Sequence, residues 1–162
     1  MPVEDASVML QRLPALGRVR AESNDRQFID TYILDGLRAR DTGALIRAMD
    51  NTTSAALETR FINALDDLGQ RILAREIEAK PKQALEIAKR SASATNRILG
   101  CDIVASFLQT NLTPVDFERL TIQNGDFIKL DFSKVAAENL SVSECIIRTL
   151  VFFLPQLRSR RL

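Results

Sequence analysis

Carboxylates and thiols are the side chains in this chain with chemistry to offer. Asp66, Asp67 and Glu76 form the one dense acidic cluster on a single predicted helix, and two carboxylates meeting in a cleft could divide general acid and general base work between them. The plainer reading of such a cluster is a solvated helix face. The 162 residues contain no histidine, which removes the commonest general base, the usual activator of a nucleophile and the most frequent metal ligand. Cys101 and Cys145 lie far apart inside apolar stretches, a usage that fits buried thiols in a reducing cytoplasm better than a disulfide framework or a zinc site. No Walker-type loop, G-x-G-x-x-G, G-x-S-x-G or H-E-x-x-H motif occurs. The expectation is a protein that is not an enzyme and uses no cofactor and no metal.

The acidic cluster belongs to a region, Glu4 to about Thr110, whose apolar residues recur at helical spacing. Met9, Leu10, Leu13 and Leu16 share a face of a short first helix limited by Pro14, and Gly17 to Asp25 reads as a turn or a short strand pair. Phe28, Ile29, Tyr32, Ile33 and Leu37 predict a helix capped by Asp25, with a break at Asp41 to Gly43 and a further segment over Ala44 to Met49. Thr52 to Glu78 reads as the longest helix, started by Thr53 or Ser54 and closed by Pro81, with a stripe through Leu57, Phe61, Ala64, Leu65, Leu68, Ile72 and Leu73. Two more helices follow, Gln83 to Lys89 and Asn96 to Gln109, the last with Ile98, Leu99, Ile103, Val104 and Phe107 on its buried face. These stripes predict core packing, and a hydrophobic content of 46% supports a real core.

From Asn111 the period changes. Cut in fives from Val115, the chain reads VDFER LTIQN GDFIK LDFSK VAAEN LSVSE CIIRT LVFFL. The first column is Val115, Leu120, Gly125, Leu130, Val135, Leu140, Cys145 and Leu150, and the third is Phe117, Ile122, Phe127, Phe132, Ala137, Val142, Ile147 and Phe152. Gly125 is the one position without a sizeable or apolar side chain. Within each pentad the first and third residues point the same way, as alternate residues of an extended segment do, and the polar pair after them turns a corner. Four such faces close a square, and successive squares stack as parallel strands around two apolar columns. A competing reading takes Asn124-Gly125 as a hairpin turn that pairs Leu120–Gln123 with Asp126–Lys129 antiparallel. It leaves the recurrence of the later apolar pairs unexplained.

This stretch resembles the pentapeptide-repeat family, whose pattern is a small residue, Asp or Asn, Leu or Phe, then two variable residues. Asp116-Phe117, Asp126-Phe127 and Asp131-Phe132 carry the central pair, while Leu120, Leu130, Leu140 and Leu150 are bulkier than the family's first column. The resemblance implies an α+β fold class: a helical region over 1–110, a short right-handed β-helix of about two coils over 111–157, and a basic tail over 158–162. Residues 7–40, through Ser7 to Leu16 and Gln27 to Ile33, are also similar to the winged-helix end of NACHT-type signalling ATPases, in which helical segments and pentapeptide repeats follow as the sensing part.

An enclosed core must have its ends covered. The helical region is placed to cover the first coil. At the other end stand Leu150, Val151, Phe152, Phe153 and Leu154, followed by Arg158, Arg160 and Arg161. These eight residues are the candidate interface, to be covered by the tail, a protein partner or a second copy of the chain. The expected function is a non-catalytic protein-interaction or scaffold module, regulatory or sensing in a signalling system. The family's alternative role is as a DNA mimic acting on a topoisomerase. That role uses a long acidic β-helix, which Arg119, Lys129, Lys134 and Arg148 suit poorly. Lys and Arg number 22 against 21 Asp and Glu, so no net field exists to hold a nucleic acid. Met1 to Gly17 lacks a signal-peptide pattern and no apolar run reaches the length of a membrane helix. A soluble cytoplasmic protein without a membrane partner is expected.

Overall fold

The computed structural model describes residues 16–18, 26–28, 31–48, 63–94 and 97–152. Strands β1 (Leu16–Arg18) and β2 (Arg26–Phe28) pair antiparallel and flank the predicted turn, so Phe28 belongs to a strand rather than to the helix expected there. Four helices follow: α1 (Thr31–Ala48), α2 (Asp67–Glu78), α3 (Pro81–Ala92) and α4 (Ile98–Phe107). Then come β3 (Val115–Gln123), β4 (Asp126–Phe132), β5 (Ala137–Ser143) and β6 (Ile146–Phe152). The architecture is α+β, helices first and strands after, with the late strands in two parallel two-stranded sheets.

The helices differ from the expected ones where tertiary packing outweighs local preference. Helix α1 runs without a break through Asp41–Gly43. Gly43 is a close-approach point, since a Cβ there would lie 2.3 Å from Cβ of Glu76 on α2. A glycine inside a helix weakens it by about 1 kcal/mol relative to alanine, and here it allows two helices to touch. Tyr32, Ile33 and Leu37, expected in the core, are exposed, while Ala39 and Ile46 further along α1 are buried. Thr52 to Glu78 is not one helix: Asn63 to Asp66 are non-helical, and Asp66 caps α2 by accepting the Gly69 N–H at 2.7 Å. Pro81 is the opening residue of α3, where its missing N–H matters least. The first predicted helix and residues 49–62 lie outside the described residues.

One core joins the two halves. Leu65, Leu73 and Ile77 meet Ala84, Ala88, Leu99 and Ile103 among the helices, and the same cluster continues into Phe117, Ile122, Phe127 and Leu130 of β3 and β4. The Phe107 and Phe117 rings meet edge to face with centroids 5.7 Å apart. Helix α4 packs on β4 and β3, and α3 packs on β3. Electrostatic ties cross the same boundary: Lys129 of β4 donates to Asp67 of α2 at 2.8 Å, and Glu78 accepts the Asn111 N–H at 2.7 Å.

Asp102, on α4, is a charged residue type in the middle of this core. Its Oδ1 accepts the Leu65 N–H at 2.9 Å, and its Oδ2 has no partner among the described residues. Burial pushes its carboxyl from 3.8 up to about 8; the Leu65 N–H and Arg38 act against the rise, and Asp35 and Asp126 add to it. The folded chain therefore holds a proton that the unfolded chain has released. The resulting stability is complete below the ordinary carboxylate value and is lost as pH climbs through about 8. Asp102→Asn keeps an acceptor for Leu65 and cannot ionise. Urea unfolding across this range is expected to give a midpoint that falls with pH in the native chain and falls less in the variant. Equal slopes would show that Asp102 is ionised throughout.

Candidate interaction surface

The pairing of β3 to β6 decides between the two readings of the repeat. β3 pairs in parallel with β5 and β4 with β6, so the hairpin between β3 and β4 does not form. Like columns of the repeat face each other: Leu120 opposite Leu140, Ile122 opposite Val142, Phe127 opposite Ile147, Leu130 opposite Leu150 and Phe132 opposite Phe152. The first pentad is offset, with Val115 opposite Ala137 and a register shift between Asp116 and Leu120. The hairpin signal failed for a local reason. Asn124 takes the left-handed conformation, at φ 52°, but Gly125 does not, whereas a type I′ turn needs positive φ at both. Gly125 instead makes room: a Cβ there would stand 2.6 Å from Sγ of Cys101 on α4.

Burial divides the strands into an inner and an outer pair. On β3 and β4, beside the helices, Val115, Phe117, Leu120, Ile122, Phe127 and Leu130 are all buried. On β5 and β6 the equivalent residues are not. Ala137, Leu140, Val142 and Ile147 are half-buried, Leu150 is 46% exposed and Phe152 is 60% exposed. Leu130, Phe132, Ala137, Leu140, Val142, Ile147, Leu150 and Phe152 line an open apolar depression of about 270 Å³. Phe132 and Phe152 stack at 5.5 Å on one side of it. Among the described residues, β5 and β6 each have one strand neighbour, so their outer edges keep unpaired backbone donors and acceptors.

Of the eight interface residues expected from sequence, Leu150 and Phe152 are exposed at this surface and Val151 is half-buried. Phe153, Leu154, Arg158, Arg160 and Arg161 lie outside the described residues. Leu140, Val142 and Ile147 join the surface without having been expected there. Their signal was present in the repeat columns, and what hid them was the assumption that the columns would be enclosed. The basic and acidic groups at the rim are paired: Arg148 with Asp126 at 3.1 Å, and Asn139 Nδ2 donating to Asp116 at 2.9 Å. The Asn139 amide and the Glu118 N–H together hold the Asp116 carboxyl below its usual range.

The acidic cluster is spent on structure. Asp66 caps α2, Asp67 pairs with Lys129 and Arg71, and Glu76 pairs with Arg47. The Lys129 ammonium is the main reason the Asp67 carboxyl sits below its ordinary value. Among the described residues, no group of three or more His, Cys, Asp or Glu is arranged to hold a metal, and no helix is long and apolar enough to cross a membrane. No family model matches the chain, and no curated protein or solved structure matches it significantly.

The division into inner and outer strands has a measurable signature in stability. Leu130→Ala removes a buried side chain and is expected to destabilise the fold by about 2–5 kcal/mol. Phe152→Ser removes a largely exposed one and is expected to cost under about 1.5 kcal/mol, chiefly the stacking on Phe132. Denaturant midpoints check the contrast, and equal losses would mean that Phe152 is enclosed.

Proposed function

We propose that the chain is a non-catalytic protein-interaction module: a helical cap on a short right-handed pentapeptide-repeat β-helix of about two coils, whose far face docks a protein partner or a second copy of the chain. The observation that carries the reading is the exposure gradient, in which the same apolar columns are buried under the helices on β3 and β4 and uncovered on β5 and β6. An apolar face bordered by unpaired strand edges is stabilised by contact with another surface.

Two features support the β-helix. Leu120 to Gln123 pair with Leu140 to Ser143, and Asp126 to Phe132 with Ile146 to Phe152, always at a separation of four pentads. Left-handed backbone recurs at the same separation, at Arg119 and Asn139 and again at Asn124 and Glu144, each the last residue of its pentad. A left-handed residue turns an extended chain through a corner. The similarity of residues 7–40 to the end of a NACHT-type winged helix adds a signalling context, in which this module would be a sensing part.

Light scattering after size exclusion, with a parallel affinity capture, tests the reading on the intact chain and on Leu150→Asp and Phe152→Asp. The expected outcome is an assembly, with itself or with one specific protein, that is lost in both variants while their circular dichroism is unchanged. A monomer without a partner at every concentration would sink the proposal.

A further inference from the structure

Cys101 and Cys145 are both free thiols, far apart in sequence, and they converge on one hollow. The hollow is the missing side chain of Gly125. A Cβ built there would lie 2.6 Å from Sγ of Cys101 and 3.3 Å from Sγ of Cys145, with Ile122 Cγ2 at 2.9 Å. Cys101 comes down from α4, and Cys145 comes from the turn between β5 and β6. The Cys145 thiol is drawn toward the inner strands by the Gly125 N–H, which donates to its sulfur at 3.1 Å, and the neighbouring Ile146 N–H fixes the backbone by donating to Gly125 O at 2.9 Å.

We propose that these two thiols form a redox-controlled cross-link, a disulfide closed through the gap at Gly125 that pins the helical region to the outer strands. No side chain stands between the sulfurs, so side-chain rotation with small backbone adjustment brings them to the roughly 2.05 Å of a bond. The proposal stands on this geometry and does not depend on what docks at the outer strands. Reaction starts at Cys145, the more accessible of the two; burial pushes the Cys101 thiol up to about 12 and keeps it inert alone. The Cys145 thiolate attacks a low-molecular-weight disulfide such as oxidised glutathione, forming a mixed disulfide and expelling one glutathione thiolate. Cys101 then loses its proton to solvent, and its sulfur attacks that of Cys145 and expels the second glutathione. Two protein thiols are oxidised and one disulfide is reduced to two thiols.

The test incubates the intact chain with increasing ratios of oxidised to reduced glutathione and reads intact mass, free thiols and melting temperature. The expected result is a monomer lighter by two hydrogens, with both thiols gone and the melting temperature raised by on the order of 10 °C, reversed by reductant. Cys145→Ser is expected to abolish the change, and Gly125→Ala to suppress it by filling the hollow. Should Gly125→Ala fold poorly, the native chain and Cys145→Ser still decide. Persistence of both thiols at the most oxidising ratio overturns the proposal, as does a product that stops at a glutathione adduct or links two chains.

Discussion

Helix α4 is buried around almost its whole circumference, from Leu99 through Phe107, because α2, α3, β3 and β4 all lie against it. Such a helix cannot be amphipathic, and its sequence, ILGCDIVASF, is not. Small residues on it allow close approach: Gly100 receives Ser91 of α3, whose Oγ accepts its N–H at 2.9 Å, and Cys101 fills the gap at Gly125. The apolar columns of β3 and β4 depend on this contact for their enclosure. Those of β5 and β6, one strand further away, lack it and are open. A single seating contact therefore sets both the stability of the inner strands and the accessibility of the outer ones.

Ion pairs reinforce the seating without producing it. Lys129 bridges Asp67 and Asp131, and Lys89 reaches Glu118 from α3, so two of the four helices carry a charged tether to the strands. Pairs exposed in this way contribute about 0–1 kcal/mol each. Burying Phe117 and Phe127 contributes roughly 1.5–3 kcal/mol each. The tethers fix orientation; the phenylalanines hold the halves together.

The strands were more legible than the helices. A repeat of two apolar columns states which residues share a face, and the parallel facing of Leu120 with Leu140 or Phe127 with Ile147 follows from it. Helix boundaries were harder because they rest on single residues whose meaning depends on distant neighbours. Gly43 looked like a breaker and is a contact with Glu76, while Asp66 looked like part of an acidic face and is a cap. Gly125 looked like a turn residue and is the gap that admits Cys101. In each case the missing information was the identity of the residue across the gap. The interface was legible in part for the opposite reason: Leu150 and Phe152 stood out as dense apolar groups, whereas Leu140, Val142 and Ile147 look like ordinary core until the structure leaves them uncovered.

The register carries a consequence for how such a chain can change length. Side chains of an extended segment alternate between two sides, so the parity of a displacement, more than its size, decides whether apolar residues stay inside. The main separation of four pentads is even, and the one departure from it, where Val115 faces Ala137, lengthens the separation by an even step. The irregular first pentad is thus absorbed with Val115 and Phe117 still inward. Gaining or losing a whole turn of four pentads would leave every later residue on its proper side, while gaining or losing a single residue would turn the rest of the sequence inside out. Evolution of this region is accordingly restricted to coarse, discrete increments, with room for fine adjustment only at corners such as Glu118 and Arg119, where the backbone is already left-handed.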